Sequence, residues 1–327
     1  MKVGRIVKWI IVLVVAFVFG VGGALYGQVK AVMPKMSADS AAKVQAGADT
    51  YVMSLWEGVD YSKFNDLDMD AQSEIRSNAV RLEVKLAAYF WVLRMASDSV
   101  ADVSVKNLMD SVAKVCGKGE YPTGYDKLLA AAEKYLYSLQ SPYYSEKRLI
   151  PFLEHKIGRA DVAEAEKSRE KYLASIIRRN MEGTMALDVE LYGFAAPGES
   201  GKKNTSLHKV LGGCSERQML MVVFFSSGCR DCHAGITRLE HSTVVRKMMS
   251  EGELAVLAVC IEGRASAASS LTRKGWMVAS DAGTVVQNSL YSVRNTPSVY
   301  ILERGGEVLI KDASVSSAID FLLGMQF

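Results

Sequence analysis

Cysteine, histidine and proline are all scarce in this sequence of 327 residues, and it carries no one-sided excess of charge. Five cysteines (Cys116, Cys214, Cys229, Cys232 and Cys260) are too few to staple a small secreted scaffold, and an odd number leaves at least one thiol unpaired within a monomer. Four histidines (His155, His208, His233 and His241) leave little material for metal centres or nucleophile–base triads. Six prolines, 23% charged residues and 49% hydrophobic residues are unlike a low-complexity or disordered chain. Lys and Arg number 39 against 36 Asp and Glu; three of the basic residues, Lys2, Arg5 and Lys8, crowd the first few positions, and the rest balance the acids. No basic surplus is left to track a nucleic-acid backbone, so nucleic acid is not an expected partner. The length predicts about two domains with sizeable cores.

Those three basic residues precede an apolar run from Trp9 to Phe19, and a weaker stretch through Gly20, Gly22 and Gly23 extends it to Tyr26. A charged start followed by an apolar run is the pattern of an export signal. The 18 residues from Trp9 to Tyr26 would span ~27 Å as a helix, just enough to cross a bilayer. Small residues at Gly22 and Ala24, and again at Ala31, suit a signal peptidase. Residues 1–31 therefore read as a cleaved signal peptide or a retained membrane anchor, and either leaves the rest of the chain outside the cytoplasm with the basic flank inside. No cysteine precedes Cys116, so a lipidated cysteine is not expected.

From about residue 39 to residue 180 the apolar positions recur at steps of three and four. Ile75, Ala79, Leu82, Leu86, Tyr89, Phe90 and Leu93 form one stripe; Val105, Leu108, Val112 and Val115 form another. Similar stripes begin at Val44, Leu128, Leu149 and Ala165, six helices in all. Gly117, Gly119 and Pro122, then Ser141 and Pro142, then Gly158, supply the breaks. No catalytic constellation falls here. The aromatics sit at core spacing, Cys116 reads as a buried or half-buried residue and His155 as a surface one. The expectation is an all-α domain over residues 36–185.

Beyond residue 186 the period changes. Met219 to Phe225 and Leu254 to Ile261 are short, continuous apolar runs rich in β-branched and aromatic residues, the signature of strands buried on both faces. Ile236, Leu239, Val244, Val245 and Met248 make the segment between them a helix, hence a right-handed strand–helix–strand crossover. A helix near residues 266–274, a strand from Trp276 to Ala279 and a helix near residues 284–291 come next. The chain closes with a strand at residues 298–302, a Gly305-Gly306 turn, a strand at residues 308–311 and a helix containing Ile319, Leu322 and Leu323. Residues 186–327 thus predict an α/β domain whose mixed central sheet has helices on both faces.

The chemistry concentrates at Ser226-Ser227-Gly228-Cys229-Arg230-Asp231-Cys232-His233, where the first long strand meets its helix. Cysteines three positions apart on a first turn can close a small disulfide loop. Cys229 faces the unsatisfied N–H groups and positive dipole end of the helix, which favour a thiolate; Arg230 should reinforce this and Asp231 oppose it. Cys232, one turn in, suits the resolving role. Other readings share the motif. A purely structural staple would stabilise little for so short a loop. Zinc lacks two further ligands. Cys229 to His233 also spells the attachment pattern of a c-type haem, although a buried α/β strand is an unusual neighbour for one. A peroxidatic cysteine would want a proline seven residues earlier, where Val222 stands. Cys214 and Cys260 read as structural, with Cys214 exposed only if its Gly213-Cys214-Ser215 turn is open.

At these residues the chain resembles the thioredoxin-like superfamily, most closely the TlpA-like thiol–disulfide oxidoreductases of bacterial envelopes. The likeness covers about residues 186–327 and rests on the strand ending at Phe225, the Cys229-Arg230-Asp231-Cys232 loop, the run Tyr291 to Leu302 with Asn295-Thr296-Pro297, and the Gly305-Gly306 hairpin. Gly193 to Leu211 is similar to that family's N-terminal hairpin. Gly228 stands where the family carries Trp, and Arg230-Asp231 contains no proline, so the direction of electron flow stays open. The resemblance implies a cis Thr296–Pro297 bond beside the dithiol, with the Thr296 backbone free to align an extended substrate peptide. It implies Cys229 and Cys232 as a redox-active pair, no cofactor and no metal, and as partners protein thiols or disulfides together with an upstream redox protein. The helical region resembles an uncharacterised module that precedes such domains in exported bacterial proteins, through Tyr135-Leu136-Tyr137, Ser141-Pro142, residues 149–153 and Gly183-Thr184. That module transfers no activity. A non-enzymatic adaptor, with the helical domain carrying the function, is the competing expectation; the presence of both cysteines opposes it.

Overall fold

A computed structural model describes residues 38–67, 79–198, 201–262 and 275–325. The segment expected at residues 1–31 and the helix expected near residues 266–274 lie outside them. Among the described residues no helix is long and apolar enough to cross a membrane. Contacts divide the chain into two compact units, one ending at Ala174 and the other beginning at Ser175.

The first unit is helical: α1 (Ala38–Ser54), α2 (Ala79–Leu93), α3 (Asp98–Cys116), α4 (Gly124–Tyr137), α5 (Glu146–Gly158) and the start of α6 (Ser168–Arg178). In α3 the buried residues are Ala101, Ser104, Val105, Leu108, Met109, Val112 and Cys116, so Val105, Leu108 and Val112 of the sequence stripe lie on the packing face, whereas Val115 is exposed and the adjacent Cys116 is buried in its stead. α4 opens with a capping box in which Thr123 and Asp126 each satisfy the other's backbone N–H. Phe90 of α2 meets Tyr135 of α4 and Phe152 of α5 at 5.5 and 6.0 Å between ring centroids. Cys116 is buried and its thiol donates to the Tyr61 carbonyl.

His155 corrects the sequence expectation of a surface residue. Its Nδ1 lies 3.0 Å from the Tyr125 hydroxyl and its Nε2 3.0 Å from Asp110 Oδ1, so it ties α5 to both α4 and α3. The periodicity of α5 alone could not reveal partners on two other helices.

The second unit is built on a seven-stranded mixed sheet: β1 (Glu190–Ala195), β2 (Lys203–Ser206), β3 (Met219–Phe225), β4 (Leu254–Cys260), β5 (Met277–Ser280), β6 (Ser298–Leu302) and β7 (Val308–Ala313), in the order β2-β1-β5-β4-β3-β6-β7. β3, β4 and β5 are parallel, and Phe225, Cys260 and Ser280 line up at their C-terminal ends. β1 joins β5 antiparallel, as β6 joins β3 and β7 joins β6. Every residue of β3 is buried. Met219, Met221, Val223 and Phe225 face a core shared with α8 (Arg230–His241), α9 (Thr243–Ser250) and α11 (Val315–Met325). Leu220, Val222 and Phe224 face the opposite core, with α7 (Leu207–Gly212), Val285 and Tyr291. That two-sided burial is the reason the strand reads as an unbroken apolar run. The helix expected over residues 284–291 is shorter, α10 (Thr284–Gln287), because Ser289 adopts a φ of 49° and the Leu290 N–H returns to the Val285 carbonyl.

Candidate active site

The loop of residues 226–229 leaves β3 at the edge where the parallel strands end, the side on which open α/β sheets gather their sites. Cys229 is the N-cap residue of α8, with extended φ and ψ of −85° and 115°, and its Sγ accepts the backbone N–H of Cys232 at 3.1 Å. Sulfur thus occupies the position that a Ser or Asp oxygen usually takes at a helix start. Both Cys229 and Cys232 are free thiols. Cys229 is half-buried, whereas Cys232 is fully buried among Ile236, Leu239 and the β3 side chains.

Burial alone would push the Cys229 thiol up, but hydrogen bonding outweighs it. The Cys232 thiol, the Thr296 hydroxyl and the N–H groups of Cys232 and Asp231 hold Cys229 below the ordinary thiol value. For Cys232 the leading influences run the other way: burial first, then the hydrogen bond to Cys229, and its thiol is pushed up to about 11. The side chains of Arg230 and Asp231, expected to tune the pair, are not among the leading influences; Asp231 acts through its backbone instead. His233 is exposed, with Nε2 3.2 Å from the Ser227 carbonyl.

Thr296 comes up against the same sulfur from the far end of the unit, and Pro297 lies against Gly235 of α8. The Thr296–Pro297 peptide bond is cis. The Thr296 hydroxyl donates to Cys229 Sγ at 3.5 Å, and the Cys229 thiol donates to the Thr296 carbonyl at 3.5 Å. That carbonyl is therefore engaged with the thiol, whereas the family resemblance implies a free one. All four residues singled out from the sequence, Cys229, Cys232, Thr296 and Pro297, meet in one site.

Two further residues shape it. Glu262, just past the end of β4, accepts the hydroxyls of Ser226 and Ser227 and the Ser227 N–H, the last at 3.2 Å. These bonds hold its carboxyl below the usual range. The parallel register could have pointed to it, because a charged residue directly after β4 must lie beside the loop that leaves β3. Gly235, inside α8, lets Pro297 approach: a methyl group there would stand 2.8 Å from Pro297 Cγ and 3.1 Å from Val315 Cγ2. An isolated glycine within a helical pattern was the available signal.

Chemically, the arrangement offers one accessible, stabilised sulfur backed by a second that stays protonated. Among the described residues no group of three or more His, Cys, Asp and Glu side chains could hold a metal ion. A haem thioether linkage would need both sulfurs accessible, and Cys232 is at 0% exposure. Cys214 is buried too, and its thiol donates to the Val210 carbonyl. Burial pushes Cys214 and Cys260 up, which suits structural thiols.

Among solved structures, a thioredoxin-like protein from Bacteroides caccae is 22% identical and aligns over 85% of this chain and 93% of its own, with a TM-score of 0.67. The C-terminal domain of an uncharacterized protein from Bacteroides fragilis is 23% identical over 44% of this chain and 98% of its own, with a TM-score of 0.38. No curated protein matches the chain. The fold of the second unit is thioredoxin-like, a mixed sheet with helices on both faces. Ahead of it, residues 60–180 match a domain of unknown function, DUF5106.

Proposed function

We propose that the chain is a thiol–disulfide oxidoreductase of the cell envelope, exchanging disulfides with protein substrates through Cys229 and Cys232. The observation that carries the reading is the asymmetry of the two sulfurs: one caps a helix, is half-buried and is held toward thiolate, while its neighbour is buried and held as thiol. In the reductive direction the Cys229 thiolate attacks one sulfur of a substrate disulfide, forming a mixed disulfide and expelling the other substrate sulfur as thiolate. Cys232 then gives up its proton and attacks Cys229 Sγ. The intramolecular disulfide closes and the second substrate sulfur leaves with the electron pair, two electrons having passed to the substrate. Run backward, the same steps oxidise a dithiol.

Thr296 and Pro297 form the substrate rest, on which an extended peptide would add as a strand beside the sulfur. In this reading the domain of residues 36–185 is separate from that of residues 186–327, with residues 175–185 packing with the second unit, and an upstream redox protein returns the dithiol to its starting state. Export rests on Lys2, Arg5, Lys8 and the apolar run after them. A Cys232→Ser variant should accumulate mixed disulfides with envelope proteins, and Cys229→Ser should not. Equal trapping by both would overturn the assignment of roles; trapping by neither would overturn the activity.

A further inference from the structure

Two aspartates of the second unit are almost fully buried, Asp281 and Asp312, and they do different things. Asp281 accepts the N–H groups of Gly283 and Val285 at 2.8 and 2.7 Å, closing the start of α10. Asp312, in β7, closes no helix. Its Oδ1 accepts the Ser298 hydroxyl at 2.7 Å; its Oδ2 accepts the Ser292 hydroxyl at 3.2 Å and the Arg294 Nε–H at 2.6 Å. All three donors belong to residues 292–298, the segment that carries Thr296 and Pro297. Two of them flank that pair and the third anchors the start of the segment. Tyr300 adds a bond from its hydroxyl to the Ser292 carbonyl at 2.7 Å.

A buried ion pair gains little net stability over apolar side chains of equal volume, so its main effect is on geometry. A carboxylate with donors on both oxygens leaves the attached segment few ways to move. We propose that Asp312 is a positioning residue for the attacking sulfur: by clamping Ser292, Arg294 and Ser298 it holds Thr296 with its hydroxyl on Cys229 Sγ. The inference rests on the redox reading of the dithiol and assigns part of its control to a carboxylate that touches neither sulfur nor substrate. The Thr296 hydroxyl is one of the donors that favour the Cys229 thiolate, so loosening the clamp weakens that donor. A residue that merely supported the fold would change stability and leave the reactivity of Cys229 where it was.

The test is the pH dependence of Cys229 alkylation by iodoacetamide, read by peptide mass on the reduced full-length chain. Asp312→Asn and Thr296→Val should each raise the midpoint by about half a pH unit, leaving roughly threefold less thiolate below it. The double variant should shift no further, because both changes remove the same hydroxyl contact. An unchanged midpoint in folded Asp312→Asn, or additive shifts in the double variant, would overturn the proposal. Should Asp312→Asn not fold, Ser298→Ala removes one anchor while Arg294 still pairs with the carboxylate, and its midpoint is read in the same way. Alkylation needs no disulfide substrate. A shifted midpoint in a protein that exchanges no disulfide would sink the redox reading and leave the clamp standing; exchange activity with an unmoved midpoint would do the reverse.

Discussion

Cys229 and Cys232 differ by one helical turn, yet the turn separates two environments. Cys229 receives hydrogen bonds at the helix start, and Cys232 faces apolar side chains that cannot stabilise charge. With its thiol pushed up to about 11, Cys232 exists as thiolate only to the order of 10⁻⁴ at pH 7. This difference fixes the sign of the pH dependence. Cys229, whose charged form is favoured, should alkylate at a rate that rises with pH and levels off below the ordinary thiol range. Cys232 should stay unmodified through that whole interval. Time-resolved peptide mass after iodoacetamide treatment of the reduced protein measures both sites at once, and comparable labelling at pH 7 would contradict the assignment.

At the scale of elements, the site is a meeting of the helix α8 with a distant segment, and Gly235 controls how closely they approach. Gly235→Ala should gain helix propensity of up to about 1 kcal/mol, but the added methyl meets a proline ring at 2.8 Å and a β-branched side chain at 3.1 Å. Neither is the loose end of a flexible chain, so overpacking of roughly 1–3 kcal/mol should win and push Pro297 from the dithiol. The expected outcome is slower turnover of a protein disulfide with a smaller effect on a small-molecule disulfide, which needs no peptide rest; an equal loss on both would count against that role. Legibility in the sequence divides along the same line. β3, α8 and the dithiol lie within one short stretch, where apolar period and cysteine spacing are local signals. Glu262 and Asp312 act on residues 36 and 14 positions away through side-chain hydrogen bonds, and nothing local marks a carboxylate as the partner of a distant serine. His155 escaped for the same reason, its two partners being 30 and 45 positions off. The truncation of α10 turned on a positive φ at Ser289, a residue type that rarely announces one.

For the whole molecule, the charge count makes a statement about topology. Outside Lys2, Arg5 and Lys8 the basic and acidic residues are equal in number, so the positive flank is concentrated before the apolar run. On the proposed export reading, basic residues on that side would stay in the cytoplasm and the remainder of the chain would cross the membrane. A reporter fused after Phe327 that is active only outside the cytoplasm should therefore work, and a fusion active only inside it should be silent. The opposite pattern would reverse the topology and remove the oxidising surroundings in which a dithiol of this kind meets protein disulfides.

β3 has one more consequence, for how the chain finds its own alignment. A strand with one polar face is held in register because a slip of one residue would bury that face. β3 has no polar face to bury; a slip would merely exchange Met219, Met221, Val223 and Phe225 for Leu220, Val222 and Phe224. Fidelity must then come from side-chain shape and from the two ends of the strand. At one end the Met219 N–H donates to the Glu253 carbonyl at 2.9 Å, and at the other the Ile261 N–H donates to the Phe225 carbonyl at 3.0 Å. Beyond that second end stands Glu262 with Ser226 and Ser227. The fastener on the loop of the attacking sulfur is thus also a ruler for the central strand, and a chain that pairs β3 with β4 one residue out of step would lose it at once.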